Sequence, residues 1–284
     1  MPQPRVVNVQ LNPDELISFG DYAIRILAEG DSWFSWSQLN LVPSSNILQQ
    51  LDFDAPSLVV NYAYSGDTIR RMSDFFRNGG FFVEMRSQKY DAILLSGGGN
   101  DIIDALYDYD SNSPLVLRPA ATGDAHDARA YIDWARLNAL TAYITANFRQ
   151  IFQYRQHGPA ANAGTPIVLH TYDYPTPRNA PASFMGIPAA GPWLLPALQK
   201  IGAPEALHIP VTKLLFDTVA TTLLALNDPA NGIHVVDTRK TIQAAALNTP
   251  GKSGDWINEI HPTTEGYANL AWKIGLSLAQ LGLK

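Results

Sequence analysis

The stretch ILAEGDSWFSW, Ile26 to Trp36, decides how the chain is to be folded. Its first residues are apolar and of strand type. The polar triplet Gly30-Asp31-Ser32 then interrupts the run and leads into the aromatic group Trp33, Phe34 and Trp36. Taken alone, the triplet is a plain strand terminus. The alternative is a strand that exists to hold Ser32 where chemistry occurs, and the surrounding sequence has to separate the two.

Working outward, short apolar runs rich in β-branched residues recur, each followed by turn residues and a segment of helical period. That is the pattern of parallel strands joined by crossover helices. Five strands are predicted, over 23–29, 57–63, 91–96, 166–171 and 232–237, with helices near 67–77, 127–156, 207–227 and 263–282. The alternation predicts an α/β fold, a three-layer α/β/α sandwich around a five-stranded parallel sheet. Segments 105–126 and 172–204, dense in Pro, Gly, Ala and Asp, break the alternation and read as loop or cap insertions in one domain spanning 1–284.

Composition narrows the function classes. The chain of 284 residues is 46% hydrophobic and 16% charged, enough for a substantial core. Its net charge is -6 and no Lys/Arg run exceeds a pair, so a nucleic-acid partner or an anionic-membrane surface has no footprint in the sequence. A small neutral molecule is the expected partner. Cysteine is absent, which removes disulfides, thiol nucleophiles and thiolate metal sites. The first twenty residues lack a basic-then-apolar leader, and no window approaches eighteen apolar residues. The chain as given reads as soluble and cytoplasmic, without stable membrane insertion, and export is left open.

In open parallel sheets the reactive groups lie beyond the carboxyl ends of the strands. Four blocks fall at such positions: Gly30-Asp31-Ser32, then Ser65-Gly66-Asp67-Thr68, then Gly98-Gly99-Asn100-Asp101, and His261-Pro262 before the final helix. In this order along the whole chain they resemble the SGNH-hydrolase superfamily, also called GDSL-type esterases and lipases. The resemblance implies a flavodoxin-like fold and a serine esterase without a cofactor. It also implies Ser32 as nucleophile, His261 as general base, and an oxyanion hole from the N–H groups of Ser32 and Gly66 and the side-chain amide of Asn100. The residue types suit the chemistry. A serine hydroxyl needs an imidazole to take its proton, and a neutral amide donates to an oxyanion without the cost of a buried charge.

One position departs from the family pattern. Three residues before the histidine, where an aspartate is usual, stands Asn258. It is the expected orienting residue, since its amide oxygen can accept from the imidazole, although it brings no charge. Asp255 and Glu259 are alternative acids; an extended segment would place Glu259 on the same face as His261. A Ser–His dyad is a further option.

The remaining residues read as structural. His126, His157, His208, His170 and His234 lack the His-Pro-helix setting, although His170 leads into Tyr172 and Asp173, which could line the site. Asp108, Asp110 and Asn112 alternate as a calcium loop begins, but Ser113 and Pro119 stand where such a loop needs Gly and Glu, so no metal is expected. Asp31 and Asp101 are expected to fix turns, and Ser65 and Thr68 to serve as turn and cap residues. Trp33, Phe34 and Trp36 are expected to pack in the core. The segment FMGIPAAGPWLLPAL is a candidate apolar wall and slightly favours an acyl or aryl ester. A carbohydrate O-acetyl esterase, a lysophospholipase-like enzyme and, from another class, a decayed ligand-binding module remain as alternatives.

Overall fold

The computed structural model describes residues 3–35, 45–107, 115–121, 124–157, 161–184 and 187–284. In chain order its strands are β1 (Arg5–Asn8), β2 (Ile24–Gly30), β3 (Ser57–Asn61), β4 (Ala92–Ser96), β5 (Ile167–His170), β6 (Ala182–Phe184), β7 (Ile187–Ala190) and β8 (Ile233–Val236). The helices are α1 (Ser32–Ser35), α2 (Ile69–Ser73), α3 (Gly79–Ser87), α4 (Gly99–Ala105), α5 (Trp134–Gln156), α6 (Leu195–Lys200), α7 (Glu205–Leu224) and α8 (Thr264–Gln280).

The main sheet is parallel throughout, in the order β1-β3-β2-β4-β5-β8. Strands β3 and β4 are buried along their whole length, as a sheet covered on both faces requires. The connections after β3, β4 and β5 supply α2, α3, α5 and α7, with α5 packed against the other three. On the opposite side α8 packs on β5 and β8 and on the short turn Leu48–Gln50. The fold is the α/β/α sandwich predicted from the alternation.

Three local differences have physical reasons. The sheet has six strands rather than five, because β1 is an edge strand of four residues. Only Val7 of it is buried, so it leaves no apolar run in the sequence. Of the helix expected over 67–77 only α2 forms, and α3 begins beyond it: the Asp74 carboxylate accepts the N–H groups of Phe76 and Arg77 and ends α2 in a turn. The helix expected from 127 starts at Trp134, where Asp133 caps it through Arg136 N–H at 3.1 Å. Residues 128–131 form a separate 3-10 turn.

Strand order reverses between β2 and β4, which opens a crevice at their carboxyl ends. There the two strands come into close contact. A Cβ on Gly30 would lie 2.8 Å from Ser96 Cβ and 2.9 Å from the Ser96 carbonyl oxygen. Substituting Gly30 by Ala is therefore expected to push β2 away from β4 and cost about 1–3 kcal/mol of stability, read from the urea unfolding midpoint at constant slope.

Candidate active site

Ser32 opens α1 one residue beyond Asp31, and the turn is held from behind. Asp31 N–H donates to the Ser96 carbonyl at 3.0 Å. The buried Asp31 carboxylate accepts from Trp33 N–H at 3.0 Å, from Ser96 Oγ at 3.1 Å and from the Tyr172 hydroxyl. Burial pushes its carboxyl up to about 6, against these hydrogen bonds, which pull it down. Asp31 thus fixes the turn and does not face His261.

His261 arrives from the other end of the chain, two residues before Thr263, whose hydroxyl caps α8 by accepting Gly266 N–H at 3.1 Å. Its Nε2 lies 2.9 Å from Ser32 Oγ, and its Nδ1 lies 3.1 Å from Asn258 Oδ1. Asn258 Oδ1 also accepts the backbone N–H groups of Ile260 at 3.0 Å and His261 at 2.8 Å. Those two groups can only donate, so they fix which way the amide points. An oxygen facing Nδ1 places the ring proton there and leaves Nε2 free to accept from Ser32. Burial lowers the His261 imidazole to about 3, so the ring is neutral over the ordinary pH range.

The two alternative acids are not brought to the ring. Asp255 accepts Gln243 N–H at 2.7 Å. Glu259 accepts Arg178 N–H at 3.1 Å, Leu194 N–H at 2.8 Å, Leu195 N–H at 2.9 Å, and Trp193 N–H. The expectation for Glu259 assumed an extended segment. Residues 254–260 are instead a run of turns and bends, so the two-residue periodicity does not apply.

The same turns are gripped by Arg178, a fully buried residue that the sequence reading did not single out. Its guanidinium donates to the carbonyls of Asn258 at 2.7 Å, Thr249 at 2.8 Å and Gly251. Trp33 Nε1 donates to the Ile260 carbonyl at 3.2 Å and ties the histidine segment to the serine turn. Trp193 meets the imidazole edge-on, with ring centroids 5.6 Å apart.

Gly66 lies in the exposed turn after β3 with φ of +88°, a backbone conformation that favours glycine. Tyr64 N–H donates to the Gly30 carbonyl at 2.9 Å, which sets this turn beside the serine turn. Asn100, on the first turn of α4, donates one amide hydrogen to the Asp67 carbonyl at 3.0 Å. The N–H groups of Ser32 and Gly66 make no hydrogen bond among the described residues.

A narrow cleft opens over Ser32 and Asn100. Its apolar wall is Ile103, Pro175, Phe216, Trp256 and Ile260. Part of the FMGIPAAGPWLLPAL segment lies outside the described residues; of the rest, Trp193 stands against the His261 ring. Phe216 comes from α7, far from any motif, and no local signal marks it. Tyr172 and Asp173 do border the cleft. Asp173 is committed to the N–H groups of Tyr174, Lys240, Thr241 and Ile242. His170 stacks on Trp33 in the core, 5.9 Å away, and Phe34 is buried beside it. Trp36, Asp108, Asp110, Asn112 and Ser113 lie outside the described residues. Among the described residues no cluster of His, Asp or Glu is arranged to hold a metal ion.

The family model described as GDSL-like Lipase/Acylhydrolase matches residues 19–274. The chain belongs to the GDSL-like lipase/acylhydrolase family. It is an ester-bond hydrolase by that membership. No curated protein sequence matches it closely enough to count as a relative. Among solved structures, it is similar to the lipase Lip_vut3 from a goat rumen metagenome, with a TM-score of 0.55 and 14% identity, covering 92% of this chain and 98% of that one. An extracellular lipase from Streptomyces rimosus matches with a TM-score of 0.51 and 15% identity, covering 87% and 98%. At these identities the likeness concerns the fold. Among the described residues no helix is long and apolar enough to cross a membrane.

Two expected outcomes follow from the buried charges around the site. Replacing Arg178 by Met removes three charge-assisted bonds to carbonyls and leaves Glu259 buried, so chemical denaturation should show a loss of about 3–5 kcal/mol. Glu29, next to the serine turn, is pushed up to about 8 by burial. From the ordinary carboxylate range up to about 8 the folded state then holds more protons than the unfolded chain, so stability falls as pH rises. The lowered histidines act in the opposite sense only below about pH 6.5. Unfolding midpoints should therefore drop between about pH 6.5 and 8, and Glu29→Gln should flatten that slope.

Proposed function

We propose that the chain is a serine carboxylic ester hydrolase working through an acyl-enzyme on Ser32. The observation that carries this reading is the hydrogen-bonded line from Ser32 Oγ through the His261 ring to Asn258 Oδ1. Ser32 attacks the ester carbonyl carbon while its proton passes to His261 Nε2. The carbonyl oxygen, now negative, is met by the N–H groups of Ser32 and Gly66 and by the second amide hydrogen of Asn100. The imidazolium returns its proton to the leaving alcohol. Water, deprotonated by the same nitrogen, then releases the acid.

Asn258 serves as the orienting residue. In a serine protease, changing the triad aspartate to asparagine lowers turnover about 10⁴-fold because the imidazole takes the wrong tautomer. That penalty does not carry over here, since the backbone donors at 260 and 261 turn the amide oxygen toward the ring. The amide supplies orientation without charge, so the imidazolium forms with no carboxylate beside it. The apolar wall of the cleft supports an acyl or aryl ester as substrate.

A fluorophosphonate probe tests the nucleophile: Ser32 should carry the adduct, and His261→Ala should lose it. An unlabelled Ser32 at neutral pH would overturn the esterase reading and leave a ligand-binding module. On a p-nitrophenyl ester, Asn100→Ala should lower kcat by about 10²–10³ through loss of one oxyanion donor. Asn258→Asp keeps the acceptor and adds a negative charge, which favours the imidazolium and raises the His261 pKa. A base works only when neutral, so the acid limb of kcat/KM should move to higher pH in this variant. An unmoved limb would show that residue 258 does not face the titrating base.

A further inference from the structure

Basic residues that occur singly or in pairs in the sequence are gathered by the fold into one layer. Residues 67–89 and 133–156, which build α2, α3 and α5 with their caps, contain eight of the chain's 20 basic residues and four of its 26 acidic ones. The helices pack side by side. Of the eight, Arg70, Arg71, Arg77, Arg86, Lys89, Arg136 and Arg149 are exposed. Arg71, Arg77 and Arg136 are paired with Asp67, Asp74 and Asp133, and the layer still holds more cations than anions on a chain whose net charge is -6.

At the turn between α2 and α3 the layer also projects apolar surface. Phe76 is 96% exposed, Val83 59% and Phe75 43%. The turn is a built one: Asp74 accepts the N–H groups of Phe76 and Arg77, and Asn78 Nδ2 donates to the Met72 carbonyl at 3.0 Å and to Glu29 at 2.8 Å. Phe75 packs on Phe82 and Tyr154, and Arg86 lies over the Tyr154 ring, so aromatic and cationic groups share one surface. Glu29 is the next-to-last residue of β2, so its bond to Asn78 places the Phe76 turn near the edge of the sheet that carries the cleft.

We propose that this face is a docking surface for an anionic phospholipid bilayer, with the Phe76 turn entering the interface and Arg77 and Arg86 meeting the headgroups. An apolar tip with cations beside it supplies the two signals that together give reversible adsorption to a charged membrane. A nucleic acid would use the cations, but the edge-on pair Phe75 and Phe76, ring centroids 6.1 Å apart, offers no open parallel platform for a base and suits an acyl boundary better. The inference does not depend on the acyl-transfer chemistry.

The test uses full-length Ser32→Ala protein, which leaves lipids intact, and sedimentation with vesicles of phosphatidylcholine alone or mixed with phosphatidylglycerol. Binding to the mixed vesicles, weakened by salt, is expected. On this background Phe76→Ser should weaken it about tenfold or more, and Arg77→Gln with Arg86→Gln about fivefold for each charge removed. With Ser32 intact, Phe76→Ser should hydrolyse a soluble ester at the parental rate, because its side chain is almost wholly in solvent. Equal binding to both vesicle types, no binding, or binding unaffected by Phe76→Ser would overturn the proposal. So would retention on single-stranded DNA that outcompetes vesicles.

Discussion

One amide oxygen carries most of the order at the candidate site. Asn258 Oδ1 collects three N–H donors, two from the backbone that follows it and one from the His261 ring. The backbone pair makes the amide orientation unambiguous, and the orientation decides the tautomer, and the tautomer decides whether Nε2 can receive a proton from Ser32. A carboxylate in this place would do the same without needing an orientation, because both its oxygens accept. Asparagine needs the turn, and the turn needs support.

That support is a pair of opposite buried charges, each met by backbone groups. Arg178 grips carbonyls at 249, 251 and 258, while Glu259 gathers N–H groups at 178, 193, 194 and 195. Both are out of water, and isolated charges there are costly unless hydrogen-bonded. Here every bond they make joins the histidine segment to the 172–204 segment. The second of the two irregular segments therefore does structural work for the site, holding the turn and presenting Trp193 to the imidazole.

The sheet was largely legible in the sequence because buried parallel strands are continuous apolar runs. The edge strand Arg5–Asn8 was not, since one buried valine leaves no pattern. The four glycine-, asparagine- and histidine-bearing blocks stood out because each follows a strand or precedes a helix with turn residues that have few other uses. The residue at the His261 ring could be narrowed to Asn258 ahead of Asp255 and Glu259 but not fixed, because it depends on whether three residues are extended or turned, and local propensity does not fix that. Arg178, Phe216 and Trp256 were silent for a related reason: their importance is created by long-range packing. The same holds for the cationic layer, whose arginines are dispersed until α2, α3 and α5 bring them together.

The central claim is that burial keeps His261 neutral and that an uncharged amide holds its proton on Nδ1. Nitrogen-15 NMR of the labelled imidazole reads both properties at once. The account predicts a neutral ring at pH 5, protonated at Nδ1 and bare at Nε2. A ring that is charged at that pH, or protonated at Nε2, would contradict it.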